Sequence, residues 1–435
     1  MDSRAFFCRR QVSFHIEYIE PSNHFGDYMG EKHHFRRLLI LSVVLMLFLW
    51  DAGAVFPAGA GAKGSVVSKP VDRYAIGCVL PLSGRNAAAG NRALDAIVLA
   101  SGVFDPIVKT PIKLIIEDSQ SRPETARAAV AKLATQDGVI CILGPLGADE
   151  SLDAAREAQR LKVPIITLTQ REGITDTGNY VFRSYLTNRV QIVSLVKYAI
   201  QEMGLARFAV LYPEDNYGRE MEKLFREEVL RRKGEILKVR SYQTTKTDFA
   251  DEIKSISDLK QCSPAGKEGE SPGDEDKPDI GFDALFIPDS PARISMIVPQ
   301  LAFHNVRGVK LLGTSSWDTP DILKAGSELL EEAIFVDAFS PNSFYPEVND
   351  FTDVYYTNYS REPGAAEALA YDAAGIIVKI IREDGIKTRD QFRENLLDVR
   401  NYRGVTGKTS FLGMRDARKD VFVLTIKDGK IIQIK

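Results

Sequence analysis

The sequence predicts an α/β protein made of two doubly wound lobes. Short apolar runs, typical of strands buried on both faces, alternate with segments whose apolar residues recur at helical spacing. The clearest unit is 139–169, where a buried strand, a glycine-punctuated loop, a helix and a second buried strand follow one another. Two such strands joined by a helix belong to a parallel sheet. The same series restarts at Arg207, which indicates a second sheet.

Composition sets broad limits on the function. The chain has 435 residues, of which 44% are hydrophobic and 26% charged, with a net charge of -3. This is enough chain for two domains with their own cores, and the absence of a broad basic field argues against nucleic acid as a partner. Only His304 follows residue 62, which argues against a multi-histidine metal site, and we expect no cofactor.

The first 62 residues are expected to lie outside the fold. Basic residues from Lys32 precede the apolar run Leu38–Trp50, and small residues with A-x-A spacing follow it. This order is that of a signal peptide, and the run is short for a membrane span. We expect a periplasmic or secreted protein after cleavage. Because Met29 begins a normal basic lead, residues 1–28 are interpreted as an upstream extension.

The first series of elements builds lobe 1. Val139–Leu143 is entirely apolar, Gly144-Pro145 ends it, and Asp149 is a candidate cap for the next helix. Ligands of parallel sheets bind beyond the carboxyl ends of strands, which points to the loops 144–150 and 169–173. The predicted strands are 73–80, 112–118, 139–143, 164–167 and 180–183, and the helices are 90–103, 123–136 and the helix after Asp149. A long helix at 187–203 leads away from the last strand.

The second series builds lobe 2. Its predicted strands are 207–212, 236–242, 284–287, 310–313 and 333–337, and its helices are 217–233, 249–260 and 292–304. The segment 261–279, rich in Pro, Gly, Ser and acids, is expected to form a mobile surface loop because it has too few apolar side chains to order itself. A calcium loop at Asp274, Asp276 and Asp279 is the alternative, although their order does not match the calcium-loop motif.

From about residue 341 the chain is expected to cross back to the first lobe. Helices at 367–382 and 390–399 follow, and 421–426 with 431–434 forms a hairpin around Asp428-Gly429. We therefore predict lobe 1 at 73–186 plus about 341–400, lobe 2 at 187–340, and a hinge and hairpin segment at 401–435. Several crossings between lobes suit a hinge that closes around a ligand.

Three cysteines follow residue 62, so at least one thiol is unpaired within the monomer. Cys78 and Cys141 each lie within a predicted buried strand, where cysteine usually acts as a small apolar residue. These strands could be neighbours, which leaves a disulfide bond open. We expect both thiols to be free.

Six motifs occur in a fixed order between residues 73 and 435. They are Ile76-Gly77-x-x-Leu80-Pro81-Leu82-Ser83-Gly84, Gly144-Pro145, Val163-Pro164-Ile165-Ile166, Asp215-x-Tyr217-Gly218, Tyr371-Asp372-Ala373 and Tyr402-Arg403-Gly404-Val405-Thr406-Gly407. Together they resemble the type I periplasmic binding proteins of the leucine/isoleucine/valine-receptor branch. The runs LPLSGR, LTQREGI and FIPDS are most similar to the domain of lipoprotein activators of penicillin-binding proteins.

The resemblance implies two Rossmann-like lobes on a multi-strand hinge, with a cleft that closes on a small solute. It implies that first-lobe hydroxyls and N–H groups hold a carboxylate, whereas a second-lobe tyrosine and an acid hold an ammonium group. Thr169 and Tyr217 match two of these positions. The loop after the third strand offers Leu146, Gly147 and Ala148 instead of a serine, which weakens the case for an amino acid ligand.

Other site assignments stay open. The acid is Asp289 or Asp318, and Asp289 could instead cap the next helix. Trp317 is either a stacking wall of the cleft or part of its closing interface. The candidate ligand-binding residues are Ser83, Arg85, Leu146, Gly147, Thr169, Gln170, Tyr217, Asp289 and Trp317.

Three arginines, Arg85, Arg171 and Arg293, fall in predicted cleft loops. They would suit a ligand with several carboxylates or a phosphate, because the guanidinium fork binds such groups with two parallel bonds. The alternative is that they form solvated rim contacts or ion pairs between the lobes, which is ordinary for surface arginine.

Two functions compete. The first is an exported solute receptor, for an amino acid or similar molecule, that serves a membrane ABC permease. The second is a non-transport regulator that contacts a peptidoglycan synthase. An enzyme is the weakest hypothesis, because the sequence lacks a G-x-S-x-G elbow and a phosphate-binding loop.

Overall fold

A computed structural model describes residues 69–104, 111–257, 280–324 and 326–435. The expected signal peptide and upstream extension (1–62), the expected mobile loop 261–279 and Cys262 lie outside these ranges. Every helix of the described chain is too short or too polar to cross a lipid bilayer.

The first lobe is built on a five-stranded parallel sheet with the order β2-β1-β3-β4-β5. Its strands are β1 (Asp72–Leu80), β2 (Lys113–Asp118), β3 (Val139–Leu143), β4 (Ile165–Thr167) and β5 (Val181–Arg183). Its helices are α1 (Ala87–Ser101), α2 (Pro123–Lys132), continued by a π-helical turn (Leu133–Asp137), and α3 (Ala148–Leu161). The five apolar runs are therefore strands, as predicted.

The second lobe repeats this order. Its parallel strands lie in the order β7-β6-β8-β9-β10. They are β6 (Arg207–Pro213), β7 (Glu235–Tyr242), β8 (Ala284–Phe286), β9 (Lys310–Leu312) and β10 (Ile334–Asp337). The helices are α4 (Asn188–Lys197) with a π-helical turn (Tyr198–Glu202), α5 (Asn216–Arg231), α6 (Ala250–Ser257), α7 (Pro291–Phe303) and the short α8 (Pro320–Leu323).

The C-terminal quarter contributes to both lobes. Helices α9 (Pro346–Tyr359), α10 (Ala365–Arg382) and α11 (Arg389–Leu397) return to the first lobe, where the Tyr359 hydroxyl donates to the Asp95 carbonyl of α1 at 2.9 Å. A small sheet follows, made of β11 (Tyr402–Gly404), β12 (Gly407–Ser410) and β13 (Arg418–Lys419). The hairpin of β14 (Phe422–Lys427) and β15 (Lys430–Gln433) then extends the second sheet antiparallel to β10.

Each large sheet is covered on both faces. Apolar residues of α2 and α3 form one core cluster with the first sheet, and α4 and α5 form another with the second sheet. The opposite faces carry α1, α10 and α11 on the first sheet and α6 and α7 on the second. Both lobes are therefore doubly wound, as the apolar runs predict. Cys78 and Cys141 are buried free thiols in neighbouring strands, which confirms the expectation of no bridge.

Some local predictions are wrong. Helix α3 begins at Ala148 after Gly147, so Asp149 lies inside its first turn and is not the cap. The predicted helix at 187–203 is confirmed: Thr187 caps its start by accepting from Val190 N at 3.2 Å, and its last turn is π-helical. Helix α9 and the small sheet were not predicted, because their apolar residues do not recur at a regular spacing in the sequence.

The described chain crosses between the lobes at three places, after β5, after β10 and between β13 and β14. A buried charge network stabilises this hinge. The Asp372 carboxylate of α10 accepts from Val405 N at 2.8 Å and Thr406 N at 2.9 Å. The Lys419 ammonium donates to Thr406 Oγ1 at 3.0 Å and Thr409 Oγ1 at 2.8 Å. Burial raises the pKa of Asp372, and the neighbouring Lys419 opposes that rise.

We expect Asp372→Ala to lower the free energy of unfolding by about 3–5 kcal/mol, because it removes the buried carboxylate that acts most strongly on the buried Lys419 ammonium. Asp372→Asn, which keeps one acceptor oxygen, should cost less. Denaturant unfolding measures both, with Asp353→Ala on the exposed face of α9 as the control, where a change within about 0.5 kcal/mol is expected. A loss at Asp372 no larger than that of the control would contradict this role.

Candidate functional site

Two adjoining cavities lie between the lobes, beyond the carboxyl ends of the parallel strands. The first chamber, of about 340 Å³, is lined by Ala89, Leu146, Ala148, Leu168, Thr169, Gln170, Tyr185, Ala366 and Leu369. The second chamber, of about 370 Å³, is lined by Gln170, Tyr185, Leu186, Asn188, Gln191, Tyr217, Ser315, Ser316, Asp337, Ala365, Ala366 and Leu369. The four shared residues make the two chambers one cleft.

The walls of the first chamber are mainly apolar. Leu168 and Thr169 follow β4, and Leu146 and Ala148 flank the start of α3. Thr169 is 1% exposed, and its Oγ1 accepts from Arg171 N at 3.3 Å. The hydroxyl proton of Thr169 is therefore free to be donated into the chamber.

A buried carboxylate lies against the first turn of α3. Glu150 is 1% exposed, and its Oε2 accepts from the Ser119 hydroxyl. Its Oε1 is buried without a hydrogen-bond partner and lies where a Cβ on Gly147 would collide with it. A side chain at position 147 would therefore require the Glu150 carboxyl to move. A negative side chain here complements the positive end of the helix, so the protein supplies its own anion at this terminus.

A chain of hydroxyls runs through the second chamber. The Tyr217 hydroxyl donates to Thr314 Oγ1 at 3.1 Å, Thr314 and Ser316 are 2.9 Å apart, and Ser316 Oγ donates to the Asp289 carbonyl at 2.8 Å. Because a carbonyl can only accept, the proton direction along the chain is fixed. The Tyr217 oxygen is left with lone pairs for a ligand. Burial raises the pKa of Tyr217 and keeps it protonated.

Asp337, at the end of β10, is the acidic group of the second chamber. It is 7% exposed, and among the described residues its carboxylate accepts one hydrogen bond, from Ala338 N to Oδ1 at 2.6 Å. Burial and the neighbouring Asp318 hold the pKa of Asp337 well above its usual range. Burial also raises the pKa of Asp318 to about 7. A cation beside this pair would favour the ionised form again.

The structure brings together four of the nine predicted site residues. Leu146 and Thr169 line the first chamber, Tyr217 lines the second, and Gln170 lines both. The remaining five, Ser83, Arg85, Gly147, Asp289 and Trp317, do not line either chamber.

Each of these five has another role or position. Ser83 is exposed, and its hydroxyl donates to Asp118 at 2.6 Å. Arg85 is exposed. Gly147 precedes α3 as its N-cap. Asp289 accepts from the Tyr242 hydroxyl at 2.5 Å and from Ser290 N at 2.6 Å, and the cap of α7 is Ser290. Trp317 is 0% exposed and packs on Phe335 in the core, so it is not a wall of the cleft.

The three cleft-loop arginines are engaged elsewhere or exposed. Arg171 pairs with Asp149 at 3.3 Å, and Arg293 donates to the carbonyls of Thr244 and Lys246. None of the three, Arg85 included, lines a chamber. The structure therefore gives no support to a binding site for several carboxylates or a phosphate.

Several lining residues were missed from the sequence. Asp337 could have been predicted from the sequence, because it is the last residue of a correctly predicted strand. Ligands of parallel sheets bind at such strand ends. Tyr185, Asn188 and Gln191 lie on the first hinge crossing and the start of α4, where no motif marks them. Ala366 and Leu369 come from α10, about 200 residues along the chain from Thr169 and Gln170.

Each chamber of the cleft, taken alone, is smaller than another cavity of the described chain. A groove of about 670 Å³ lies between α4 and the hinge strands, with Lys197, Glu202, Lys408 and Lys435 among its lining residues. Its lining residues do not follow the carboxyl end of a parallel strand. Convergence of strand ends and of buried polar groups, not volume, identifies the cleft as the candidate site.

A family model described as periplasmic binding protein matches residues 73–430. The chain belongs to the periplasmic binding protein family. This confirms the resemblance drawn from the ordered motifs and the two-lobed type I fold expected from it. Among curated proteins, none matches the chain significantly.

Solved structures share the fold of this periplasmic binding protein. A protein from Rhodospirillum rubrum, described as a branched-chain amino acid ABC transporter, matches with a TM-score of 0.74 and 22% identity over 84% of this chain and 100% of its own. A branched-chain amino acid transporter substrate-binding protein from Streptococcus pneumoniae, in complex with isoleucine, matches with a TM-score of 0.58 and 23% identity. The match covers 84% of this chain and 100% of the other.

A solute-binding protein from Rhodopseudomonas palustris, in complex with 3,4-dihydroxybenzoic acid, gives a TM-score of 0.60 and 19% identity over 83% of this chain and 96% of its own. The fold thus serves ligands of different chemistry. The ligand of the present periplasmic binding protein has to be argued from its own cleft.

We expect Asp337→Asn to raise the free energy of unfolding at pH 7.5 by about 1–3 kcal/mol, because it removes a buried carboxyl that lacks a counter-ion. The wild-type protein should lose stability as the pH rises from about 4 to 7. In that window the folded state, with its raised carboxyl pKa values, binds more protons than the unfolded state.

Denaturant unfolding at pH 4.5 and 7.5 measures this effect. Asp353→Asn, on the exposed face of α9, serves as the matched control and should behave like the wild type. If the Asp337 variant and the control show the same pH dependence, Asp337 is not a strained carboxyl in the folded protein.

Proposed function

We propose that this protein is an exported receptor that closes its two lobes on a small organic solute and presents it to a membrane ABC permease. The single observation that carries the proposal is the cleft, to which both lobes contribute polar side chains at the ends of their parallel strands. The signal-peptide pattern in residues 1–62 supports a periplasmic or secreted location.

The size and lining of the cleft support a ligand related to an amino acid. The two chambers, of about 340 and 370 Å³, suit small molecules. Tyr217 and Asp337 support a site for an ammonium group. The lining residues include neither histidine nor cysteine, which are common acid–base and nucleophilic groups in enzymes. This lining favours binding over catalysis.

A regulator of peptidoglycan synthesis is the second candidate. The runs LTQREGI and FIPDS favour it, as does a loop that offers Leu146, Gly147 and Ala148 where a receptor would offer a serine. Such a protein would bind a synthase through its surface and would not need an open cleft with unpaired polar groups. The unpaired Asp337 Oδ2 in the second chamber favours the receptor.

A thermal-shift screen of amino acids, amides, amines, aromatic acids and peptidoglycan fragments tests the proposal. A solute that binds the native state alone raises the melting temperature, and at about 100 times its Kd the stabilisation is about 2.7 kcal/mol. Small-angle scattering should show a smaller radius of gyration with the same solute. If no solute shifts the melt and a synthase co-purifies, the regulator is the correct function.

We expect Tyr217→Ala and Thr169→Ala each to weaken binding of a solute found in this screen by about 5–150-fold, the equivalent of about 1–3 kcal/mol. Both residues line the chambers and offer a hydroxyl to them. Calorimetric titration measures the affinity, and Tyr356→Ala, at an exposed position of α9, is the control. Unchanged affinity in both cleft variants would show that the solute binds elsewhere.

A further inference from the structure

We propose that the solute is an organic cation, with an amine or similar positive group at Asp337 and an uncharged, largely apolar body in the first chamber. This inference rests on the proposed receptor function and adds the charge class of the solute. It departs from a zwitterionic amino acid, because the cleft offers a site for the positive group and opposes the negative one.

The charges of the cleft are of one sign. The residues that line the two chambers include Asp337 and do not include a lysine, arginine or histidine. A carboxylate brought into this cleft would lose its hydration without gaining a cationic partner, which is costly in a low-dielectric environment. A cation would gain a partner that the protein already holds there.

Asp337 is a built acceptor for that cation. The side chain is nine-tenths buried, lines the second chamber and is held at Oδ1 by Ala338 N. Its Oδ2 has no hydrogen-bond donor among the described residues. A charged hydrogen bond to a buried carboxylate is among the stronger polar contacts in proteins, because the local dielectric is low and the acceptor is ionised.

Two neutral groups of the second chamber, Tyr217 and Asn188, offer acceptors to the same cation. The hydroxyl chain from Tyr217 to the Asp289 carbonyl uses the Tyr217 proton within the protein, which leaves an acceptor facing the cavity. Asn188 donates its Nδ2 to Glu220 at 3.3 Å, which leaves its Oδ1 as an acceptor. An ammonium group has three donors and no acceptor, and so matches this set.

The first chamber opposes a ligand carboxylate. The start of α3, where an anion would normally be favourable, already has the buried Glu150 carboxylate against it. The other walls are mostly leucine and alanine side chains, with Thr169, Gln170 and Tyr185 as the polar groups. This lining suits an alkyl or aryl body with at most a neutral polar group.

Matched sets of compounds on one skeleton test the inference by isothermal titration calorimetry on the purified protein. One set is 3-methylbutylamine, leucine and 4-methylpentanoate, and a second is phenethylamine, phenylalanine and 3-phenylpropanoate. Agmatine and arginine form a third pair. We expect an amine to bind at least about tenfold more tightly than the amino acid and the acid of its own set, because the carboxylate is left unpaired.

Two variants separate charge from general damage. Asp337→Asn should weaken the amine at least about tenfold, since it removes the buried counter-ion. Glu150→Gln keeps an acceptor for Ser119 and should narrow the gap between amine and amino acid. Asp353→Asn is the control and should bind as the wild type does. Circular dichroism and the melting temperature confirm that each variant is folded.

The outcomes are distinct. An amino acid or acid that binds more tightly than its amine overturns this inference and leaves the receptor proposal standing. The same holds if a solute without positive charge emerges from the general screen while the amines do not bind. If neither the general screen nor the amine sets give binding, the receptor proposal itself fails.

Discussion

One constraint, parallel strands in the same order in two separate sheets, determines where this protein can bind a ligand. In each lobe the second strand lies on one side of the first strand and the third strand on the other. The loops after the first and third strands therefore diverge and leave a crevice at their carboxyl ends. Because both sheets do this and the hinge turns the two edges toward each other, the side chains that meet there come from five or more distant parts of the chain.

Two buried carboxylates show how structural and ligand-directed charges differ in this molecule. Asp372 at the hinge accepts from two backbone N–H groups and has Lys419 close by. Asp337 in the cleft has one backbone donor, and its charged neighbour is another carboxyl, Asp318. Burying a charge without a partner costs free energy. The hinge satisfies its carboxylate within the chain, whereas the cleft leaves its carboxylate for a ligand to satisfy.

The sequence predicted the strands well because buried parallel strands are short, apolar and bounded by glycine, proline or polar residues. The hairpin around Asp428-Gly429 was also correct, since both residues adopt the left-handed conformation that this pair favours. Helix α9 and the small hinge sheet were missed, because neither has a clear period of apolar residues. Caps were less predictable than helices, as Asp149 and Asp289 show, because several polar residues at each loop compete for that position.

The site was predicted only in part, and the reason is physical. Thr169 lies two residues after β4 and Tyr217 in the first turn of the helix after β6, so local pattern and family motif both mark them. Trp317 was misplaced because an aromatic residue after a strand can turn toward the cleft or the core, and the space left by Gly313 admits its ring into the core. The lining from α10 depends on the return of the chain to the first lobe, which local sequence does not encode.

Closure and charge recognition are coupled through Asp337. The residue belongs to the second lobe, but Gln170, Ala366 and Leu369 of the first lobe complete the chamber that it lines. Moving the lobes apart would hydrate the Asp337 carboxylate and remove the cost of its charge. Burial and Asp318 hold the pKa of this carboxyl well above its usual range, so closing the lobes without a cation would favour its neutral form. A cationic solute offsets that cost only in the closed state, so its charge itself favours closure over the open form.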